Sequence, residues 1–320
     1  MVIYKSYQPF KSWLNKIKDK NIIKSAAKYQ AKKPRTGNKF MILGANGYVG
    51  WATICQLVYK FGGCNIIAID IDFKNKKSIT PQIPFRKRVE ILKEYFDFSI
   101  NIEKTDLTNF EVCKDLVKKY RPDFIINLAD GQYKSNLILS NILKLTNTHL
   151  IVSTNYNSKK KLESECKITE FKTSNVIGLC NLLTLIDPGL ATYNSPQLFL
   201  NKMIYSGYNK KIIRQPAGRI SVLSLEDFTR AFVKIIRKGQ KKNYEYYHAV
   251  ENNILTSKIA NTIQATYTEL GIQTKKKSVN KIYSGNEIKQ KQKFIKLIDK
   301  HRPSVIHLVS YSCKYYLEMR

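Results

Sequence analysis

Acidic residues are scarce in this chain: 24 Asp and Glu face 55 Lys and Arg, a net charge of +31. An excess of this size repels itself and points to a polyanionic partner. Codon bias towards Lys, Asn and Ile would raise the acids alongside Lys, so bias does not account for it. Cysteine is present at six positions (55, 64, 113, 166, 180 and 313), but with no C-x-x-C or Cys/His ligand spacing. That argues against zinc and against a disulfide framework, and no metal site is expected. No apolar run approaches the roughly 18 residues of a membrane span. No secretory apolar core and no internal repeat is visible either.

The charge is unevenly placed. Residues 1–39 carry a net of +10 and residues 273–302 a net of +8, against +12 for the much longer stretch 40–272. The first segment places Phe10, Trp13, Leu14 and Ile17 at helical spacing among lysines. Basic, amphipathic and almost free of acid, it reads equally as a mitochondrial presequence or as a nucleic-acid-binding arm. We therefore expect three units: a basic arm at 1–38, a nucleotide-binding body at 39–272 and a basic C-terminal extension at 273–320.

The body is organised by Lys39-Phe-Met-Ile-Leu-Gly-Ala-Asn-Gly-Tyr-Val-Gly50. An apolar strand runs into Gly44-x-x-Gly47-x-x-Gly50 and then into a helix-like stretch from Trp51 to Phe61. A strand that breaks into a glycine turn and then a helix aims backbone N–H groups and a positive helix end at a diphosphate. A second apolar strand ends on Asp70, twenty residues past Gly50, where a carboxylate would meet ribose hydroxyls. Further strands are expected at 100–108, 123–129, 149–154, 182–186 and 219–223. Helices are expected at 109–120, 136–145, 159–171, 196–206, 225–237 (with Ser224 as N-cap) and 257–270. Continuous apolar strands alternating with helices predict an α/β fold, a doubly wound parallel Rossmann-type sheet with a small C-terminal lobe.

These motifs resemble the extended short-chain dehydrogenase/reductases, the sugar-nucleotide epimerase and dehydratase group. Gly47-Tyr-Val-Gly-Trp-Ala-Thr53 is especially similar to the sulfolipid-sugar synthase branch. Thr105-Asp106-Leu107-Thr108 resembles the family turn that contacts adenine, and Asn127-Leu-Ala129 the motif beside the nicotinamide ribose. Ile186-Asp-Pro-Gly189 is similar to the Arg-Pro-Gly turn, with Asp187 in place of arginine, and Arg219 to Asp227 to a late motif of the family. The resemblance implies NAD or NADP, held as a structural ligand by Gly44, Asn46, Gly47, Tyr48, Val49, Gly50, Asp70, Asp106, Leu107, Leu128 and Ala129.

Family chemistry needs a Tyr-x-x-x-Lys pair on one helix face, the lysine lowering the tyrosine's pKa, with a Ser or Thr at the end of the fifth strand. Ser153 and Thr154 suit the last role. One register of the helix motif, Asn155-x-x-Ser158-Lys159-x-x-x-Glu163, puts an amide where the phenol belongs. A second, Tyr156-x-x-x-Lys160, restores the pair without the Ser and Glu matches. The loops after Ala129 and Ser153, which line the sugar pocket in the family, are short here. If the chain is an enzyme, Ser153, Tyr156 and Lys160 carry its chemistry.

The degenerate motif and the charge together point to a non-catalytic subunit of a ribonucleoprotein, a ribosomal protein of the mitochondrial matrix. Its partners would be ribosomal RNA and neighbouring ribosomal proteins. Phosphates would be gripped by Lys11, Lys16, Lys18, Lys32, Lys33 and Arg35 in one arm, and by Lys275, Lys276, Lys277, Lys289, Lys291 and Lys293 in the other. The alternatives are an NAD(P)-dependent nucleotide-sugar epimerase, dehydratase or reductase, and a dehydrogenase-like accessory subunit of a respiratory complex.

Overall fold

A computed structural model describes residues 38–73, 84–94, 96–129, 138, 141–142, 145, 148–154, 168–172, 176–177, 199–239, 244–249, 252–283, 296 and 304–318. The first strand, β1 (Lys39–Leu43), is followed by α1 (Tyr48–Phe61), β2 (Asn65–Asp70), α2 (Phe85–Lys93) and β3 (Ser99–Lys104). Then come α3 (Phe110–Tyr120), β4 (Phe124–Asn127), β5 (His149–Thr154), β6 (Ile168–Lys172) and the short β7 (Val176–Ile177). The remainder is α4 (Phe199–Lys210), β8 (Ile212–Ser224), α5 (Leu225–Lys238), β9 (Tyr244–His248), β10 (Asn252–Leu255), α6 (Thr256–Glu269), β11 (Lys275–Tyr283) and α7 (Val305–Glu318).

Seven strands form one parallel sheet in the order β3-β2-β1-β4-β5-β6-β9. The chain works outward from β1 to β3, then returns to β4 on the other side, so the order reverses between β1 and β4. Such a switch point opens a crevice at the carboxyl ends of the strands, where ligands bind in sheets of this kind. Both faces are covered, which is why the inner strands are apolar along their whole length. Phe40, Ile42, Ile66 and Ala68 pack towards α1, α2 and α5, with Trp51, Leu57, Phe85, Phe228 and Phe232 among the buried neighbours. Met41, Leu43, Ile67, Ile69 and Ile125 face the other way, against Cys113 and Val117 of α3 and the helical residues Ile138 and Ile142.

Helix ends follow local chemistry. The Asn109 side chain accepts from the N–H groups of Glu111 and Val112, and Arg121 closes α3 in the left-handed region at φ 44°. Ser224 Oγ accepts from the Asp227 N–H at 2.9 Å, so the N-cap expected for α5 is present.

A smaller lobe packs α4, α6 and α7 around β8, with Met203, Ile213, Ile263, Tyr267, Val309 and Cys313 buried together. β8 runs for 13 residues, well beyond the expected 219–223, and carries β10 antiparallel and β11 parallel beside it. One expectation is corrected. Residues 168–171, placed in the helix expected at 159–171, instead form the sixth strand of the large sheet together with Lys172. Ile168 and Thr169 are both fully buried, which suits a strand covered on each face better than an amphipathic helix. The stretch 182–186 lies outside the described residues. Among the described residues no helix is long and apolar enough to cross a membrane.

Candidate functional site

The turn between β1 and α1 leaves no room for a side chain at Gly44 or Gly50. Gly44 sits at φ 77°, and a Cβ there would stand 2.9 Å from both the Leu128 carbonyl oxygen and the Ala129 nitrogen. A Cβ on Gly50 would stand 2.0 Å from the Gly44 carbonyl oxygen. The Gly47 N–H donates to that same oxygen at 3.0 Å, and Gly44 N–H reaches back to the Ile69 carbonyl at 2.9 Å. Gly47 caps α1 with no side-chain hydrogen bond, and the first turn of the helix contains no acid. Among the described residues no side chain caps the helix start, so its N–H groups and positive dipole end suit an anion.

Asp70 ends β2 beside this turn and is 9% exposed. Its Oδ2 accepts from the Asn46 backbone N–H at 3.0 Å, and its Oδ1 from the Asp72 N–H at 3.3 Å. The Asn46 side chain donates to the Asp72 carbonyl at 3.0 Å and accepts from Arg88 of α2. After β3, the Asp106 carboxylate accepts from the Thr108 N–H at 3.0 Å and shapes that turn. Asn141 donates to the carbonyls of Leu107 (3.2 Å) and Thr108 (3.1 Å). After β4, the Leu128 N–H donates to the Leu43 carbonyl at 3.0 Å, and the Ala129 N–H to Asn127 Oδ1 at 3.2 Å.

Gly44, Asn46, Gly47, Tyr48, Val49, Gly50, Asp70, Asp106, Leu107, Leu128 and Ala129 thus come together at the carboxyl ends of β1 to β4, around the switch point. Ser153 lies near the same end of β5 and is half-buried. Tyr156 and Lys160 lie outside the described residues, as do Asn155, Ser158, Lys159 and Glu163. Of the proposed phosphate-gripping residues, Lys11, Lys16, Lys18, Lys32, Lys33, Arg35, Lys289, Lys291 and Lys293 also lie outside them. Lys275, Lys276 and Lys277 open β11, hydrogen-bonded along β8, and Lys276 Nζ donates to Asn261 Oδ1 at 2.8 Å.

Sequence reasoning missed Arg88 and Asn141. Arg88 sits in a basic stretch with no family motif. Asn141 carried only one signal, a lone amide on the apolar face of the helix expected at 136–145.

No family model matches the chain. It is 27% identical over 99 residues to the UDP-sulfoquinovose synthase of Sulfolobus acidocaldarius, a match covering 29% of this chain and 25% of that relative. Solved structures agree along far more of the molecule. The dTDP-glucose 4,6-dehydratase of Bacillus anthracis, in complex with NAD, superposes with a TM-score of 0.62 at 14% identity, over 88% of this chain and 97% of that one. The UDP-glucose 4-epimerase of Bifidobacterium longum, in complex with NAD+ and UDP, gives a TM-score of 0.65 at 12% identity, over 88% and 98%. The UDP-glucose 4-epimerase of Stenotrophomonas maltophila, with bound NAD, gives 0.62 at 11% identity, over 88% and 98%. The fold is that of the extended short-chain dehydrogenases, as the motifs led us to expect.

These likenesses correct the ribosomal reading. The solved structures that share the fold are nucleotide-sugar epimerases and a dehydratase, the relative similar in sequence is a synthase, and none of those named is a ribosomal protein or RNA-binding subunit. The error has a physical source. Net charge is a bulk property that speaks to solubility and non-specific attraction, not to fold or site. The expectation set that bulk property above the glycine turn, the more specific signal.

Proposed function

We propose that this chain is an NAD-dependent enzyme acting on a nucleotide sugar, of the epimerase or dehydratase kind. One observation carries the reading: a glycine turn closed to side chains, with a helix start on one side and the Asp70 carboxylate on the other. The N–H groups of the turn and of α1 would hold the diphosphate. Asp70 would accept hydrogen bonds from the adenosine ribose, and its negative charge disfavours a 2′-phosphate there, so NAD fits better than NADP. Asp106 and Leu107 would border the adenine, Leu128 and Ala129 the nicotinamide ribose. When bound, NAD takes up hydride from a sugar carbon and can return it.

The chain's own residues would manage the proton. Ser153 would hold the reacting sugar hydroxyl, and the Tyr156 phenol would exchange its proton, kept acidic by Lys160. The synthase relative, at 27% identity over 99 residues, favours a uridine-diphosphate sugar. The test is incubation of purified protein with NAD+ and UDP- or dTDP-glucose, with products resolved by chromatography and NMR. We expect conversion of one such sugar, lost on Tyr156→Phe and reduced on Ser153→Ala. Absence of conversion across a panel of nucleotide sugars, with NAD bound, would leave a cofactor-holding protein without this chemistry and overturn the reading.

A further inference from the structure

We propose that Arg88 is a positioning residue for dinucleotide selection, acting through Asn46 on the Asp70 carboxylate; the proposal rests on the NAD reading above. Arg88 belongs to α2, away from the glycine turn in sequence, yet its side chain is 0% exposed. Its guanidinium lies 4.9 Å from the centre of the Trp51 ring and 5.1 Å from that of Phe85. Those two rings meet edge to face at 5.4 Å. A flat, delocalised cation fits against two aromatic rings, where an ammonium on a flexible stem does not.

From that fixed place one guanidinium nitrogen donates to Asn46 Oδ1. The contact decides which way the amide points. Its oxygen faces Arg88, so its nitrogen faces the Asp72 carbonyl and donates to it at 3.0 Å. With both ends of the side chain held, the Asn46 backbone N–H stays on Asp70 Oδ2 at 3.0 Å, while Asp72 holds Oδ1. The chain of contacts from α2 to Asn46 to Asp70 fixes the carboxylate at the carboxyl end of β2. A carboxylate held this way can tell two vicinal hydroxyls from a phosphate. One free to rotate discriminates less.

The test is calorimetric titration of the full chain with NAD+ and with NADP+. Arg88→Lys keeps the charge and removes the planar fork. We expect its NAD+ affinity to fall about tenfold or more and the ratio of NAD+ to NADP+ affinity to narrow, a change that general loosening would not produce. Asn46→Ala leaves the stacking of Arg88 on Trp51 and Phe85 in place and should narrow the ratio likewise. The double variant should be no worse than the worse single one, because both act along one path. A wild-type ratio in folded Arg88→Lys, or losses that simply add in the double variant, would overturn the proposal. Should Arg88→Lys not fold, Asn46→Ala decides alone, and an unchanged ratio overturns it. A wild-type protein that binds neither dinucleotide would bring down the NAD reading itself, and this proposal with it.

Discussion

Replacing Gly50 by alanine tests the turn directly. A Cβ there would stand 2.0 Å from the Gly44 carbonyl oxygen and 2.9 Å from Ala45 Cα. These are backbone atoms that cannot swing aside, so the turn or the start of α1 must move by more than about 1 Å to reach tolerable contact. Overpacking of this kind costs about 1–3 kcal/mol of stability. A 1 Å displacement of groups that position a ligand also costs on the order of 100-fold in function. The assay is urea unfolding alongside calorimetric titration with NAD+. Gly63 supplies the control: it has φ 51° but nothing within 4 Å of a built Cβ. Gly63→Ala should therefore cost about 1 kcal/mol from backbone strain and leave NAD+ binding as it was. Equal loss of NAD+ affinity in both variants, or wild-type affinity in Gly50→Ala, would refute the claim that the turn's shape makes the site.

Three further outcomes follow from single contacts. Asn141→Leu removes the donor that serves the Leu107 and Thr108 carbonyls; chemical denaturation should show a loss of about 1–3 kcal/mol, with weaker NAD+ binding. Ser224→Ala removes the cap of α5 and should lower stability by about 1 kcal/mol with no effect on the dinucleotide. Hydrogen bonds from Lys119 and Tyr120 hold the Glu103 carboxyl below the usual glutamate range. Ionised Glu103 therefore adds stability above its unfolded pKa, and that stability is lost as pH falls through the lowered native value. Urea midpoints of Glu103→Gln should lie below wild type at pH 7 and converge with it as the solution is acidified through the lowered native pKa.

The parts of the fold set by backbone geometry were legible in the residues. Gly44, Gly47 and Gly50 with Asp70 located β1, α1 and β2, and at Gly44 and Gly50 the backbone leaves no space for a Cβ. Ser224 announced its helix as a cap. What escaped was set by distant packing. Ile168-Thr-Glu-Phe-Lys172 becomes a strand because β5 and β9 pair with it on either side, and no local spacing reports those partners. Arg88 escaped for a related reason: a lone arginine in a basic stretch reads as solvated until Trp51 and Phe85 are seen to enclose it. The lysines of β11 were read as an arm, although the register of Lys275, Lys276 and Lys277 against Ile212, Ile213 and Arg214 makes them part of a sheet.

Three buried thiols carry a prediction of their own. Burial pushes the Cys64 thiol up to about 12, that of Cys113 to about 11 and that of Cys313 to about 12. At pH 8 all three should stay protonated and resist alkylation in the native protein, since the thiolate is the reactive form. Mass spectrometry after brief iodoacetamide treatment should find them unmodified until urea is added. The same shift fixes a pH dependence. An unfolded thiol ionises from about pH 9 while the native one keeps its proton, so the native state binds more protons and loses stability between about pH 9 and 12. Each buried thiol accounts for at most about 1.4 kcal/mol per pH unit in that window. Cys64→Ala together with Cys313→Ala should therefore flatten the fall of the urea midpoint between pH 8.5 and 10.5. Native-state modification of Cys64 at pH 8, or an unaltered slope in the double variant, would refute the assignment. If these thiols are inert, none of the three serves as a nucleophile.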